Sequence, residues 1–259
     1  MQQIVCRNGT VSGVILADGS SISARCVASS LDPQRTFLHL VNNSDLSDEF
    51  IEDISSYKTR GSSGKVNLAL SSLPVFKCLP DPGDHLQGAI SISPSIDYLE
   101  RAYDEAKYGH YSSKPYLDIL IPSTLDPEIA PPGKHVMSIF VQYVPYDLKD
   151  GWDAISLDNF GDTVISTLEQ YVPNLRNIIL HKQILTPLDI ERKLGITQGN
   201  IFHGELSPHQ LFSMRPTLGY GNYKTPIQGL FMCGSGSHPG GGVSEYPGHN
   251  AAREILTYA

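Results

Sequence analysis

Residues 229–252 read GLFMCGSGSHPGGGVSEYPGHNAA. An apolar run, GLFMC, passes into a loop with glycines at 234, 236, 240, 241 and 242, and then into HNAAREILTYA, which has the pattern of a closing helix. The apolar run has the length and composition of a buried strand. Removing side chains at five positions lets the loop backbone pass close to a ligand, and a helix that follows directly offers free N–H groups to negative or electron-rich atoms. The loop is not a first-position dinucleotide fingerprint. After Gly234 and Gly236 the third position holds Pro239, no Walker lysine follows, and no downstream strand carries a ribose-binding acid. The bland alternative is a mobile glycine-rich surface turn, but such a turn has no need of a flanking strand or of a helix opening on Ala251 and Ala252.

Working outward, QQIVC, TVSGVIL and SISARCVAS read as strands joined by turns at Asn8-Gly9 and Asp18-Gly19. Those dipeptides supply the left-handed positions of two-residue hairpins, so a small antiparallel meander is expected. Asp32-Pro33 starts a helical piece from Arg35 to Leu40, with Asp32 as its cap and Arg35 a solvated charge, and a second helical piece falls in 42–52. KVNLALSSL alternates through Val66, Leu68 and Leu70, while PYLDILIPS, KHVMSIFVQYVPY and 178–185 are further strands. From Ser95, a helix carries Tyr98, Leu99, Ala102, Tyr103 and Ala106 as one apolar stripe. The longest helix covers 152–171, with Ile155, Phe160, Val164, Ile165, Leu168 and Tyr171 at helical spacing until Pro173 stops it, and Thr186 leads a short one over 187–194. The fold class is therefore α+β, with the two ends in a different sheet from the middle.

The chain has 259 residues, 40% hydrophobic and 18% charged, with 23 Gly and 18 Pro, which fits a loop-rich folded protein. Lys plus Arg is 19 against 27 for Asp plus Glu, a net charge of -8, and this disfavours binding to a nucleic-acid backbone. No window approaches the roughly 18 apolar residues of a membrane span, and the first thirty residues lack the layout of a secretory signal, so a soluble, cytoplasmic setting is expected. Cys6, Cys26, Cys78 and Cys233 are scattered and read as free and mostly buried. His203, Glu205 and His209 form H-x-E-x₃-H, which matches no zinc motif, so no metal is expected. Ser235 and Ser237 have no base and acid series for a serine triad. Tyr143, Tyr146, Trp152, Tyr171 and Phe202 are read as packing aromatics.

The stretch 229–252 resembles the C-terminal flavin-binding signature of the phytoene desaturase-like (carotenoid and retinoid) family of FAD-dependent oxidoreductases, which share an amine oxidase-like fold. GTVSGVILADGSSISARCVASSLDPQRTF near the start, GNIFHGELSPHQLFSMRP at 199–216 and YKTPIQGL fit the same family in order, so the resemblance spans essentially the whole chain. It implies that residues 1–31 and 225–259 complete an FAD-binding domain, and that 32–224 form a substrate-binding domain with an antiparallel or mixed sheet and helices. The N-terminal Rossmann βαβ unit that holds the ADP half of FAD has no counterpart here, so the FAD-binding domain is expected to be incomplete. The family pattern puts Gly241, Gly242 and Val243 near the isoalloxazine or ribityl chain, and Gly248, Asn250 and Ala251 near the start of the closing helix, with Gly234 also at the cofactor.

By the same resemblance, the HGE segment lies near the flavin side of a substrate cavity. The candidates there are His203, Glu205, Arg215, His238 and Glu245, and no catalytic residue is assigned. The family often has small or apolar residues after GGGV where this chain has Ser244, Glu245 and Tyr246, leaving Glu245 either a substrate-facing acid or a solvated carboxylate. The implied function is hydride transfer between a hydrophobic small molecule and flavin in the full-length protein, with this portion inactive alone and FAD held weakly or not at all. The missing half is then the first partner, with a further protein partner or a homo-oligomer next; the mitochondrial matrix is the alternative compartment for a eukaryotic member. The competing readings are a non-catalytic assembly module and a domain that binds lipophilic ligands without redox turnover.

Overall fold

Turn chemistry shapes the first sheet. Asn8 and Gly9 both take positive φ, 51° and 74°, and join β1 (Gln3–Arg7) to β2 (Thr10–Ile15) in an antiparallel pair. β3 (Ser21–Ser23) pairs antiparallel with β2, giving the order β1-β2-β3. The expected third strand is in fact two. After Ser23 the chain leaves this sheet, and β4 (Val27–Ser29) pairs instead with residues near the other end of the sequence. The structure is a computed structural model; it describes residues 1–258 and separates into two units, residues 1–60 with those from 194 on, and residues 61–193.

In the first unit Asp32 caps a π-helical turn over Arg35–Leu40, its Oδ1 accepting from Arg35 N at 2.8 Å. Asp32 is nearly fully buried, and it also accepts from Thr197 Oγ1 at 2.8 Å and Thr197 N at 3.1 Å. Arg35 is not simply solvated, because its Nε donates to Gly195 O at 3.0 Å. The second helical piece is α1 (Asp48–Ser56), begun by Ser47 Oγ accepting from Phe50 N. Phe37, Leu40, Phe50 and Ile54 close one core with Ile4, Val11, Ile227 and Leu230. Packing thus groups residues 32–60 and 194–224 with the two chain ends, a division by contact that does not coincide with the expected limits at 31/32 and 224/225.

The second unit is built on an antiparallel sheet. Its strands are β5 (Ser63–Leu70), β6 (Ile90–Ile92), β7 (Tyr116–Leu120), β8 (His135–Gln142) and β9 (Ile179–Leu185), in the order β6-β7-β8-β5-β9. Alternation along β5 and β8 turns Val66, Leu68, Leu70, Met137, Ile139 and Val141 inward, each essentially inaccessible. Full burial of such side chains stabilises by roughly 1.5–3 kcal/mol each. Helix α2 (Ile96–Lys107) is capped by Ser95, but of its expected apolar stripe only Ala102 is buried. Tyr98 instead spends its hydroxyl on Pro115 O at 2.9 Å, and Tyr103 is exposed.

Helix α3 (Ala154–Glu169) starts in a capping box formed by Asp153 and Ser156 and lays Phe160, Val164, Ile165 and Leu168 on the sheet core. The short α4 (Leu175–Ile178) follows, and α5 (Pro187–Leu194) comes after β9. The chain then returns to the first unit, ending in β10 (Leu230–Met232) and α6 (Tyr246–Tyr258). The four cysteines are free; Cys6, Cys26 and Cys233 are half-buried and Cys78 is exposed, so the expectation of mostly buried thiols does not hold.

Candidate cofactor site

β10 pairs in parallel with β4, from Val27↔Leu230 to Ser29↔Met232, and Cys233 N continues the ladder to Ser29 O at 2.8 Å. That ladder delivers the chain into the glycine loop so close to β4 that position 234 tolerates no side chain: a Cβ there would stand 2.3 Å from Ser30 O. Further on, a Cβ at Gly241 would meet the Phe202 ring at 2.6 Å, so Phe202 packs directly beneath the loop. Gly242, Val243 and Glu245 all carry positive φ, and the backbone turns there into α6.

The result is a cavity of about 520 Å³ between the loop and the first turn of α6. Of the expected cofactor residues, Gly234, Gly241, Val243 and Gly248 line it, with Cys233, Ser235, Gly240 and Pro247. Glu245 lines it as well. Gly242 lies in the loop with open space where a Cβ would stand, and Ala251 is buried on α6. Asn250 acts as a brace: its Nδ2 donates to Tyr223 Oη at 2.8 Å, and Tyr223 Oη donates to His238 O at 2.9 Å. His238 therefore meets the loop's support through its carbonyl, while its ring tilts against Phe212.

The remaining candidates converge behind the loop. Arg215 is fully buried and, among the described residues, donates only to carbonyl oxygens: Ser235 O at 2.9 and 2.8 Å, Phe202 O at 2.6 Å, Glu205 O and Gln210 O at 3.3 Å, and Gly204 O at 3.5 Å. Its guanidinium also sits 5.9 Å from the Tyr57 ring centre. Glu205 turns its carboxylate away to Arg60, at 2.6 Å. His203 has a positive φ of 59°, and its Nδ1 is buried with no hydrogen-bond partner among the described residues. Burial lowers the His203 pKa, nearby Asp32 opposing and Arg215 assisting. Tyr57 Oη is buried and unpartnered as well, and burial pushes its hydroxyl up to about 12.

Tyr57 and Tyr223 were missed from sequence; SSYKTR and GNYKTP contain nothing that distinguishes a buried tyrosine from a surface one. Among the described residues, no group of three or more His, Cys, Asp or Glu is placed to hold a metal ion, and no helix is long and apolar enough to cross a membrane.

The chain's fold has counterparts among solved structures. Its fold matches that of an oxidoreductase from Methanosarcina mazei with a TM-score of 0.61, over 99% of this chain and 48% of that one, at 18% identity. No family model matches. In sequence it is 41% identical over 256 residues to pyridine nucleotide-disulfide oxidoreductase domain-containing protein 2 of Mus musculus, covering 96% of this chain and 44% of that protein. It is 26% identical over 232 residues to the lycopene-forming phytoene desaturase of Paracoccus sp., covering 89% and 44%. The chain is thus related to part of pyridine nucleotide-disulfide oxidoreductase domain-containing protein 2 and, more distantly, to phytoene desaturases. The chain spans less than half the length of these two curated relatives.

Proposed function

We propose that this chain forms the flavin-ring side of an FAD site in a longer oxidoreductase, where hydride passes between a hydrophobic small molecule and the cofactor. The observation that carries the reading is the cavity bounded by Gly234, Gly241 and Gly248, where bare backbone meets a helix start. Packing keeps that wall bare, because side chains at 234 and 241 would collide with Ser30 and Phe202, and bare backbone suits the close approach of a flat ring. FAD would supply the hydride-accepting ring. The chain's own part is placement and field. The N–H groups of Tyr246 and Gly248, in the first turn of α6, have no intrahelical acceptor and favour negative charge at the cavity. Cys233, whose thiol is raised by burial, presents a neutral, apolar wall.

Two features support a site that is shared with chain outside this sequence. β4 and β10 are a parallel pair of three residues each, whereas parallel strands normally belong to larger, covered sheets. Among the described residues β4 pairs with β10 alone, and its central Ala28 is exposed. The substrate class follows the Paracoccus relative, a lycopene-forming phytoene desaturase. Purification of the longer protein and of this chain alone, each followed by absorbance of flavin released on denaturation, tests the proposal. Near-stoichiometric FAD on the longer protein and little on the isolated chain are expected; a longer protein that holds no flavin overturns it.

A further inference from the structure

Arg215 is a buried cation with no carboxylate hydrogen-bonded to it among the described residues. It has no exposed surface, and among the described residues all its hydrogen-bond acceptors are backbone carbonyl oxygens. Glu205 contributes its backbone carbonyl and commits its carboxylate to Arg60. Guanidinium remains protonated even where burial opposes its charge. Neutral carbonyls hydrogen-bond this charge without cancelling it, so its field extends outward.

The field has a definite direction. Arg215 Nε donates to Ser235 O at 2.9 Å, and a Cβ on Gly240 would lie 3.6 Å from the same Nε. Ser235 and Gly240 both line the cavity. The guanidinium therefore stands one backbone layer behind the cavity wall, in a low-dielectric setting where a charge acts over longer range than in water. A surface lysine would be screened by solvent; this arginine is not.

We propose that Arg215 is a positioning and charge-stabilising residue: it pins the 235–240 loop and raises the affinity of the cavity for a ring that gains negative charge on reduction. This rests on the flavin reading above and adds a residue that never touches the cofactor. FAD, where bound, would supply the redox chemistry and would carry more negative charge at its oxygen edge when reduced; Arg215 would stabilise that charge and transfer nothing itself.

The test uses the full-length protein as wild type, Arg215→Lys and Arg215→Met, with flavin content and flavin midpoint potential measured for each. Wild type and Arg215→Lys should hold flavin at similar potentials. Arg215→Met should make the bound flavin at least about tenfold harder to reduce, a fall of about 30 mV for two electrons. If Arg215→Met fails to fold, Leu206 supplies the second arm. Leu206 is exposed, and its Cδ2 lies 3.3 Å from the Cβ position of Gly240, so Leu206→Glu sets a carboxylate beside the guanidinium on a tolerant surface. Leu206→Glu should lower the potential relative to Leu206→Gln. Bound flavin with unchanged potential in Arg215→Met, or in Leu206→Glu where Arg215→Met does not fold, overturns the role of Arg215 and leaves the flavin site standing. Absence of flavin from wild type overturns both.

Discussion

Gly234→Ala is the substitution whose cost the structure states most directly. The new Cβ would lie 2.3 Å from Ser30 O, and ordinary contact begins near 3.4 Å, so one backbone must retreat by about 1 Å. Neither partner is a flexible side-chain end that can rotate away. A retreat of that size breaks the Cys233 N–Ser29 O bond, now 2.8 Å, at a cost of about 1 kcal/mol. Forcing a methyl into packed surroundings adds roughly 1–3 kcal/mol. The sum, about 2–4 kcal/mol, falls on the β4–β10 ladder. Hydrogen exchange of peptides covering β4 and β10 should accelerate between about thirtyfold and about seven hundredfold. Gly248→Ala is the control: its Cβ meets only Cys233 O at 3.8 Å and sits inside α6, so it should be neutral or stabilise by up to about 1 kcal/mol. Wild-type protection of both strands in Gly234→Ala would show that the close approach of loop to strand is not real.

Asp32→Ala strands the donors of Arg35 N, Thr197 N and Thr197 Oγ1 and should cost about 3 kcal/mol or more in urea unfolding, with Asp32→Asn losing less because it keeps one acceptor. His203 is held neutral by burial, with its native pKa below its unfolded value of about 6.5. The unfolded chain therefore binds more protons below that pH, and stability should fall as pH drops from about 6.5 toward the native value. His203→Gln should flatten that part of the pH profile of the urea midpoint. Phe160→Ala empties a fully buried ring site against Tyr111 and Trp152 and should cost roughly 3–5 kcal/mol. Because Trp152 is the chain's single tryptophan, its fluorescence should change in the folded Phe160→Ala protein as well.

The strands and the long helix were legible because their periodicity is local. Val66, Leu68 and Leu70 alternate, and Phe160, Val164 and Leu168 recur at helical spacing; both patterns point inward in the structure. What sequence could not resolve depends on contacts between distant segments. SISARCVAS reads as one strand, yet it splits because Val27 N reaches Gly229 O, 202 positions further along. Asp32 looks like a cap, and is one, but Thr197 makes it a buried tie as well. The stripe on α2 has helical period, yet only Ala102 is fully buried and Tyr103 is exposed, since period alone does not say how much partner surface exists. At the site, the glycine loop announces itself by composition, and it does build the cavity wall. Its support does not: Arg215 is named only through the family resemblance and as a cavity residue, and Tyr57 and Tyr223 not at all, because they act through carbonyl oxygens and ring faces, which leave no pattern in the order of residues.

The central claim, that the cavity between the glycine loop and α6 receives the flavin ring, is tested most directly by a crystal structure of the longer protein bound to FAD. The account predicts density for the isoalloxazine against Gly241 and Gly248, with Arg215 behind Ser235 and Gly240 and out of contact with the ring. Flavin density elsewhere, with this cavity closed or filled by another segment of the protein, would contradict it.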